Sequence, residues 1–427
     1  MTSIWLIAKT VFKVLFLILV SYPILGGLAW FVGGLCYKYV FKNKKRDFTI
    51  LDSREQPFIT IMVPAHNEEV TIEETISYLL NELNYTNYEV LVIDDCSTDN
   101  TPKILQKLQQ QSKRLRVIRL AENKGKAHAF NIGLAFAKGD LVLSNDADTL
   151  PEADALMRYV NYFNSPEGQN IAAVTSNVEV RNRTKLITKS TTVEFSSIVG
   201  IIKRAEMGVF GSIFAYSGAN TMYRKSALID VGMFRQDRAT EDISVAWDHQ
   251  LNNWLAVFAP EIISYTLVPE TLKELYHQRK RWAKGGTEVW LTNLRKVLRH
   301  PLKNLGESLM LLDQTLSICW SFFFWLATFV FTYLVGNFAL TQNWSQLVYL
   351  LFSALILICF EMIAGTMQLV IALMIDRKGN KIEYLLFAPI YLLCLWIINT
   401  LTIVTTFVPA IKTILGHGSG TWISPSR

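Results

Sequence analysis

The chain has 427 residues, of which 51% are hydrophobic and 18% charged, and its net charge is +6. Its mean hydropathy of +0.24 is higher than soluble globular proteins usually reach, which excludes an ordinary soluble enzyme. The sequence contains no basic stripe interleaved with aromatic residues, the pattern that would indicate a nucleic-acid partner. The apolar residues concentrate at the two ends, so the composition predicts a membrane protein with one aqueous domain in its middle.

The first apolar segment, residues 14–40, is long enough to cross a bilayer, which needs about 20 apolar residues. It lacks a usual signal-peptide cleavage site, so we interpret it as a retained anchor. Lys9 and Lys13 precede it. A stronger basic cluster follows it, formed by Lys42, Lys44, Lys45 and Arg46. Such clusters mark the cytoplasmic side, so we expect the N-terminus outside and the middle domain inside.

The middle of the chain, residues 57–260, alternates strand-like and helix-like segments. The strand-like segments include FITIMVPA, YEVLVID, LRVIRLAE and DLVLSNDAD. This alternation predicts a parallel sheet with helical crossovers. Ligands bind such sheets at the carboxyl ends of the strands, and two acidic clusters, DD at 94–95 and DAD at 146–148, fall there.

Two amphipathic segments, 186–207 and 270–297, are predicted either to lie flat on a membrane or to pack as ordinary helices. Three further apolar segments follow at 309–338, 346–376 and 383–411. Three crossings from a cytoplasmic domain place the C-terminal tail outside, whereas a re-entrant last segment would bring it inside. The sequence leaves both arrangements open.

Asp94 and Asp95 end a predicted strand and enter a turn. Aspartate in such a turn often caps the next helix, but Asp99 or Ser97 can serve that purpose here. The sequence therefore leaves both a functional and a structural interpretation of the pair open.

The apolar strand LVLSNDAD ends in two carboxylates, Asp146 and Asp148. At extended spacing both side chains point to one side of the sheet. Like charges so close repel each other unless a cation or a hydrogen-bond donor lies between them. The pattern therefore predicts a site for Mg²⁺ (or Mn²⁺).

Glu241 and Asp242 precede an apolar helical segment. Capping of that helix by Thr240 or Asp242 is one interpretation. The other is a general base that accepts a proton from a substrate hydroxyl.

The segment QRKRW sets Gln278, Arg281 and Trp282 at i, i+3 and i+4, so they share one face of a helix. Arg279 and Lys280 are expected to point elsewhere, toward lipid headgroups. The shared face offers an amide, a cation suited to phosphate and a ring suited to the apolar face of a sugar. A basic helix with an interfacial tryptophan anchor is the alternative.

The motifs VPAHNEE, VIDDCSTD, NKGKAHAFNIG, DAD, TED and QRKRW occur in this order along nearly the whole chain. Together they resemble the processive family 2 glycosyltransferases, membrane enzymes that polymerise β-linked polysaccharides and export them through their own helices. The segments VEFSSIVGIIKRAE, TEDISVAWDHQL, LVPETLKELYHQRKRWAKGGTEV and TWISPSR most resemble bacterial poly-β-1,6-N-acetylglucosamine synthases. Two residues depart from the commoner pattern: His66 replaces an aromatic residue or Cys, and Cys96 replaces Gly.

The resemblance implies an α/β GT-A glycosyltransferase domain with a mostly parallel sheet, plus an α-helical transmembrane region with interfacial helices. We expect an N-terminal anchor at 1–46 and a cytoplasmic GT-A domain with its interfacial helices at 47–300. About three transmembrane helices and a short tail are expected at 301–427.

The resemblance also implies an inverting transfer from UDP-N-acetylglucosamine. The uridine site is expected to comprise Glu68, Asp94 and Asp95. Lys126 is expected near the diphosphate. Asp146 would contact the ribose or the metal ion, and Asp148 would hold the metal ion.

On the acceptor side, the resemblance makes Asp242 the base, with Glu241 beside it. Gln278, Arg281 and Trp282 are expected to bind the acceptor end and the leaving diphosphate, and 217–219 to shape the acceptor pocket. Three polar residues within apolar segments are costly there and are expected to line the polymer path, namely Asp313, Gln314 and Glu361. For the first two, a position among lipid headgroups is the alternative.

The expected partners are a UDP-sugar donor, a growing polysaccharide acceptor, the lipid bilayer and a small accessory membrane protein. Three other functions are weighed against this one. They are a related β-glycan synthase of the hyaluronan, chitin or cellulose kind, a non-processive transferase to a lipid carrier, and a transporter or receptor with a nucleotide-binding domain.

Overall fold

A computed structural model of the chain describes residues 2–41, 51–52, 54–376 and 381–416. Its strands are β1 (Ile59–Ala65), β2 (Tyr88–Asp94), β3 (Leu115–Arg119), β4 (Leu141–Asn145), β5 (Leu150–Pro151), β6 (Ile171–Val180), β7 (Asn220–Arg224) and β8 (Leu255–Thr266). Its α-helices are α1 (Thr2–Cys36), α2 (Ile72–Asn81), α3 (Thr101–Gln111), α4 (Lys126–Phe136), α5 (Ala155–Phe163), α6 (Leu186–Phe195), α7 (Lys203–Ala205), α8 (Lys225–Asp230), α9 (Glu241–Leu251), α10 (Leu272–Arg299), α11 (Leu305–Leu340), α12 (Trp344–Ile375), α13 (Ala388–Ile390) and α14 (Trp396–Ile414). Wider helical turns occupy Tyr37–Phe41, Ser196–Ile202, Glu206–Phe210 and Tyr391–Leu395, and tighter ones Gly168–Asn170 and Lys381–Phe387.

The strands form one sheet in the order β3-β2-β1-β4-β7-β6-β8-β5. The half from β3 to β4 is parallel, as the alternation of strands and helices predicted. Its strands β1 and β2 are fully buried apolar runs, typical of strands covered on both faces. Beyond β4 the sheet becomes mixed, because β7 pairs antiparallel with both β4 and β6. Four of the seven strand pairings are parallel, so the sheet is mostly parallel.

Alternate side chains of the sheet enter two apolar cores. Ile61 and Val63 of β1 pack on one face with α2, α3 and α5, while Met62 lies on the other face with α4 and α9. The two cores fix the strand ends, from which the loops of the site emerge.

Four helical segments are long and apolar enough to cross a membrane, which identifies a membrane protein. They are Phe16–Val40, Leu305–Leu340, Trp344–Ile375 and Lys381–Ile414. They match the four apolar segments predicted from the sequence. The basic cluster at 42–46, residues 377–380 of the basic loop and the tail from 417 lie outside the described residues.

The first amphipathic segment is a packed helical segment, which favours the second of its two interpretations. It lies between the sheet and the apolar helices. Phe195 packs with Val178 of β6, Ile201 with Ile371 of α12, and Val193 with Leu369. The second segment forms α10, which packs along α14 and against α9. These helices therefore connect the sheet to the apolar helices.

Candidate active site

Lys126 is the centre of the charged cluster at the carboxyl edge of the sheet. Its Nζ lies 2.7 Å from Asp146 Oδ1 and 3.2 Å from Glu241 Oε1, and it donates to the carbonyl oxygen of Gly218 at 3.2 Å. Burial alone would lower the pKa of Lys126, but the Asp146 and Glu241 carboxylates raise it above its ordinary value. The ammonium group therefore stays charged and joins three loops that are distant in sequence.

Asp95 positions the loop that leads into Lys126. Its carboxylate accepts the backbone N–H groups of Lys124 and Gly125, at 3.2 and 2.8 Å. Gly125 has φ +92°, a conformation that L side chains rarely adopt. The Asp95 carboxylate is thus fully buried and acts on the site through this loop.

Asp94 and Glu68 also have local partners. Asp94 Oδ1 accepts the N–H of Ser97 at 3.0 Å, and Glu68 Oε2 accepts the hydroxyl of Thr71 at 3.1 Å. Both residues are buried. These contacts give the two carboxylates a structural function in the loops around β1 and β2, while their contact with uridine stays a prediction.

Residue 96, in the turn after Asp95, has a left-handed backbone conformation although it is not glycine. Cys96 has φ +60°, and His66 Nδ1 lies 2.8 Å from the carbonyl oxygen of Asp95. Asp99 Oδ1 accepts the N–H of Thr101 at 2.9 Å, at the start of α3. Asp99 thus binds the first turn of α3, as predicted, in place of Asp94 and Asp95. The two departures from the family pattern are therefore accommodated without loss of the turn.

The extended conformation expected through Asp146 and Asp148 is wrong. Strand β4 ends at Asn145, and Thr149 N–H donates to the Asp146 carbonyl oxygen at 3.1 Å, so a turn brings the two carboxylates together. Asp148 Oδ1 accepts the hydroxyls of Thr149 and Thr266, at 3.0 and 3.1 Å. Burial and the nearby Asp148 charge raise the pKa of Asp146, against the opposing effect of Lys126.

Two carboxylates are a partial ligand set for a cation. In the described ranges, no group of three or more His, Cys, Asp or Glu side chains is arranged to hold a metal ion. Asp146 and Asp148 supply the hard oxygen ligands that Mg²⁺ and Mn²⁺ prefer. The donor set therefore fits such an ion when a substrate diphosphate completes the coordination.

Asp242 lies in the first turn of α9. Its Oδ2 accepts the N–H of Gly218 at 3.0 Å, and its Oδ1 accepts the N–H of Ile243 at 2.9 Å. Burial, followed by repulsion from Glu241, raises the pKa of Asp242 to about 6. The Thr240 hydroxyl, in contrast, has no hydrogen-bond partner among the described residues, so it does not cap the helix.

Arg281 of α10 acts on this carboxylate pair. Its charge opposes the rise in the pKa of Asp242 and, after burial and Lys126, affects that of Glu241. The Trp282 ring packs in an apolar cluster with Val178, and its centroid lies 6.5 Å from that of the Phe195 ring. Of the predicted shared face of α10, Arg281 is thus the residue whose charge reaches the charged cluster.

The expected lipid-facing position of Arg279 is wrong, while Lys280 is exposed as expected. Arg279 is 4% exposed, and its Nη2 lies 2.5 Å from Glu194 Oε2 of α6. The cause is that α6 covers this side of α10, so the guanidinium meets a buried carboxylate instead of a headgroup.

Two glycines permit close approaches in the site. A β-carbon at Gly285 of α10 would lie 1.9 Å from the Thr240 hydroxyl oxygen, and one at Gly218 would lie 2.7 Å from Asp242 Oδ2. Gly218 belongs to the segment 217–219 that was expected to shape the acceptor pocket, whereas Gly285 escaped the sequence analysis. The pair of glycines after QRKRW was the available signal for Gly285.

The polar and tryptophan side chains of the apolar helices have different surroundings. Asp313 accepts the hydroxyl of Tyr22 at 3.1 Å and borders a cleft of about 590 Å³ between α1 and α11. Trp320 and Trp396 stack at 4.6 Å between centroids, joining α11 to α14. Glu361 is half-buried on α12.

Comparisons with known proteins agree with this architecture. The family model described as glycosyl transferase family 2 matches residues 60–232. The poly-beta-1,6-N-acetyl-D-glucosamine synthase of Staphylococcus epidermidis is 33% identical over 97% of this chain and 98% of its own length. That of Staphylococcus aureus strain COL is 34% identical over 96% and 97%.

A mannosyltransferase from Pyrobaculum calidifontis, solved in complex with GDP-Man and Mn²⁺, superposes with a TM-score of 0.57 and 22% identity. The match covers 88% of this chain and 99% of that one, and it shows the fold. The α/β GT-A fold with apolar membrane helices is thereby confirmed. On its similarity to the staphylococcal synthases over almost the full length, the chain belongs to the family of poly-β-1,6-N-acetyl-D-glucosamine synthases.

Proposed function

We propose that the chain is a processive, inverting glycosyltransferase that polymerises N-acetylglucosamine from UDP-N-acetylglucosamine into a β-1,6-linked exopolysaccharide. The observation that carries the proposal is the position of Asp242. This half-buried carboxylate, whose pKa is raised to about 6, lies near Arg281 and Lys126, under the helix that leads to the apolar helices. A base and two cations so arranged suit a displacement that removes a proton on one side and stabilises negative charge on the other.

The reaction needs one bond to form as another breaks. Asp242 takes the proton of the acceptor hydroxyl, whose oxygen attacks the anomeric carbon while the bond to UDP breaks on the opposite face. Lys126 and Arg281 offset the charge that develops on the leaving diphosphate. A pKa near 6 suits this function because the carboxylate is ionised at neutral pH and still basic enough to take a proton.

A divalent cation, Mg²⁺ or Mn²⁺, would be held by Asp148 and Asp146 and would supply further charge neutralisation at the diphosphate. Glu68, Asp94 and Asp95 would define the uridine side of the pocket. Asp95 would do so through the loop it holds at Gly125.

The acceptor would lie on the side of Gln278, Arg281 and Trp282, because the Arg281 charge of that face acts on Asp242. The polymer would leave between the apolar helices, past the polar groups of Asp313, Gln314 and Glu361.

We place the chain in the cell membrane as a multi-pass protein with its catalytic domain in the cytoplasm, where UDP-sugars are made. The proposed units are the anchor at 1–46, the catalytic domain with its interfacial helices at 47–300 and the transmembrane region at 301–427. An accessory membrane protein is a proposed partner.

The test uses membranes from cells that express the full chain. They receive labelled UDP-N-acetylglucosamine, UDP-glucose, or UDP-glucuronate with UDP-N-acetylglucosamine, each with Mg²⁺ or Mn²⁺, and the product is sized and digested with a β-1,6-specific hexosaminidase. Long polymer from the first donor alone, cut by that enzyme, is expected. Long polymer that resists digestion overturns the linkage, and short products indicate transfer to a lipid carrier. If no product forms, co-expression with an accessory membrane protein decides whether the enzyme is incomplete or the proposal is wrong.

A further inference from the structure

A buried ion pair joins α6 to α10 beside the acceptor side. Glu194 is 0% exposed, Arg279 is 4% exposed, and Glu194 Oε2 lies 2.5 Å from Arg279 Nη2. Removing two charges from water carries a large desolvation cost, so such a pair is weak evidence of added stability. Its presence is better explained by what the Arg279 side chain orients.

Arg279 contacts two residues of the acceptor-side face. Its Nη1 donates to Gln278 Oε1 at 2.9 Å, and its guanidinium carbon lies 4.1 Å from the centroid of the Trp282 ring. A guanidinium plane can stack on an aromatic face and direct its N–H groups sideways at the same time, which a lysine cannot. One side chain therefore determines the positions of both the amide and the ring.

The same pair borders the route to the apolar helices. Phe195, next to Glu194 in sequence, lies against the Trp282 ring, and Val193 on the other side packs with Leu369 of α12. Glu194 thus lies where the Trp282 ring and the apolar helices meet.

We propose that Glu194 is a positioning residue for the acceptor, which fixes the Trp282 ring and the Gln278 amide through Arg279 and thereby determines how long the growing polysaccharide stays bound. This inference rests on the proposed function. Glu194 takes no part in the transfer itself and does not touch the donor.

The first test compares Glu194→Gln with wild type in membranes that contain the full chain. We expect the median polymer length to fall by about fivefold or more, since loss of about 1 kcal/mol of acceptor binding has that effect. The KM for UDP-N-acetylglucosamine is expected to stay within about twofold, because the donor contacts are intact. Glu194→Asp keeps the charge and should recover part of the length.

Glu89→Gln is the matched control. Glu89 is also buried and lies 2.8 Å from an arginine, Arg116, but it is near the start of β2, at the edge of the sheet opposite the site. We expect it to lower thermal stability and leave polymer length unchanged. An equal shortening in both variants would overturn the inference, because it would make the effect one of stability.

A double variant separates positioning from folding. Glu194→Gln with Arg279→Met removes both charges, and such neutral replacements often restore stability. We expect the melting temperature in detergent to recover while the polymer stays short, since no guanidinium holds Trp282. Recovery of polymer length along with stability would refute the inference. If Glu194→Gln does not fold, Arg279→Lys, which keeps the charge but loses the planar stack, decides by the same length measurement.

Failure of the inference differs from failure of the proposed function. If wild type makes no long polymer with or without an accessory protein, the proposed function fails. If wild type makes long polymer and Glu194→Gln makes polymer of the same length, only the positioning function of Glu194 fails.

Discussion

The proposed donor side and the proposed acceptor side of the site are built in different ways. On the donor side, Asp94 binds a backbone N–H three residues later, and Asp95 binds the loop of the next strand–helix unit. On the acceptor side, Glu194 and Arg279 are 85 residues apart and belong to helices outside the sheet. Local strand and turn chemistry therefore determines the donor side, whereas helix packing determines the acceptor side. Four predictions test this distinction.

The largest effect is expected for Asp242→Asn. The amide cannot take the acceptor proton, so turnover should fall by about 100-fold or more, while UDP binding should stay nearly intact. Polymerisation rates and UDP titration of the purified variant measure the two quantities. Equal losses in both would mean that Asp242 serves the donor side as well, and the division of the site would not hold.

The second prediction concerns pH. The ionised Asp242 base is present above its pKa of about 6 and is lost as pH falls through that value, so turnover should drop about tenfold from pH 7 to pH 5. Glu241→Gln removes the neighbouring negative charge, which should lower the pKa of Asp242 and move the acid limb to lower pH. An acid limb that stays in place would exclude Asp242 as its source.

The third prediction concerns the approach of α10 to α9. Gly285→Ala places a β-carbon 1.9 Å from the Thr240 hydroxyl, so we expect a loss of about 1–3 kcal/mol from overpacking, with slower polymerisation. Gly286→Ala is the matched control, because the nearest atom to its β-carbon is 3.7 Å away. Thermal unfolding in detergent compares them. Equal stability of the two variants would show that α10 can shift without cost.

The sequence predicted the strands before Asp94 and Asp146 and the four apolar segments because their signals are local. They follow from periodicity and from runs of apolar residues. The turn at Asp146 was missed because one residue decides where β4 ends. Arg279 was misplaced because periodicity states which way a side chain points but not which helix covers it. The contact of Gly285 with Thr240 likewise depends on tertiary packing alone.

The smallest effect is expected on the donor side, at Cys96→Gly. The left-handed conformation at φ +60° costs a residue with a β-carbon about 1–2 kcal/mol, and glycine relieves this cost. The greater freedom of glycine in the unfolded chain offsets part of the gain, so the net increase in stability should be about 0.5–1 kcal/mol. Cys96→Ala removes the thiol, which lies 3.5 Å from the carbonyl oxygen of Ala121, but keeps the β-carbon and should gain nothing.

A higher melting temperature for the glycine variant alone would attribute the cost to the backbone. A gain in both would attribute it to the thiol, and the turn would then tolerate a β-carbon because neighbouring contacts such as that of His66 with Asp95 hold it.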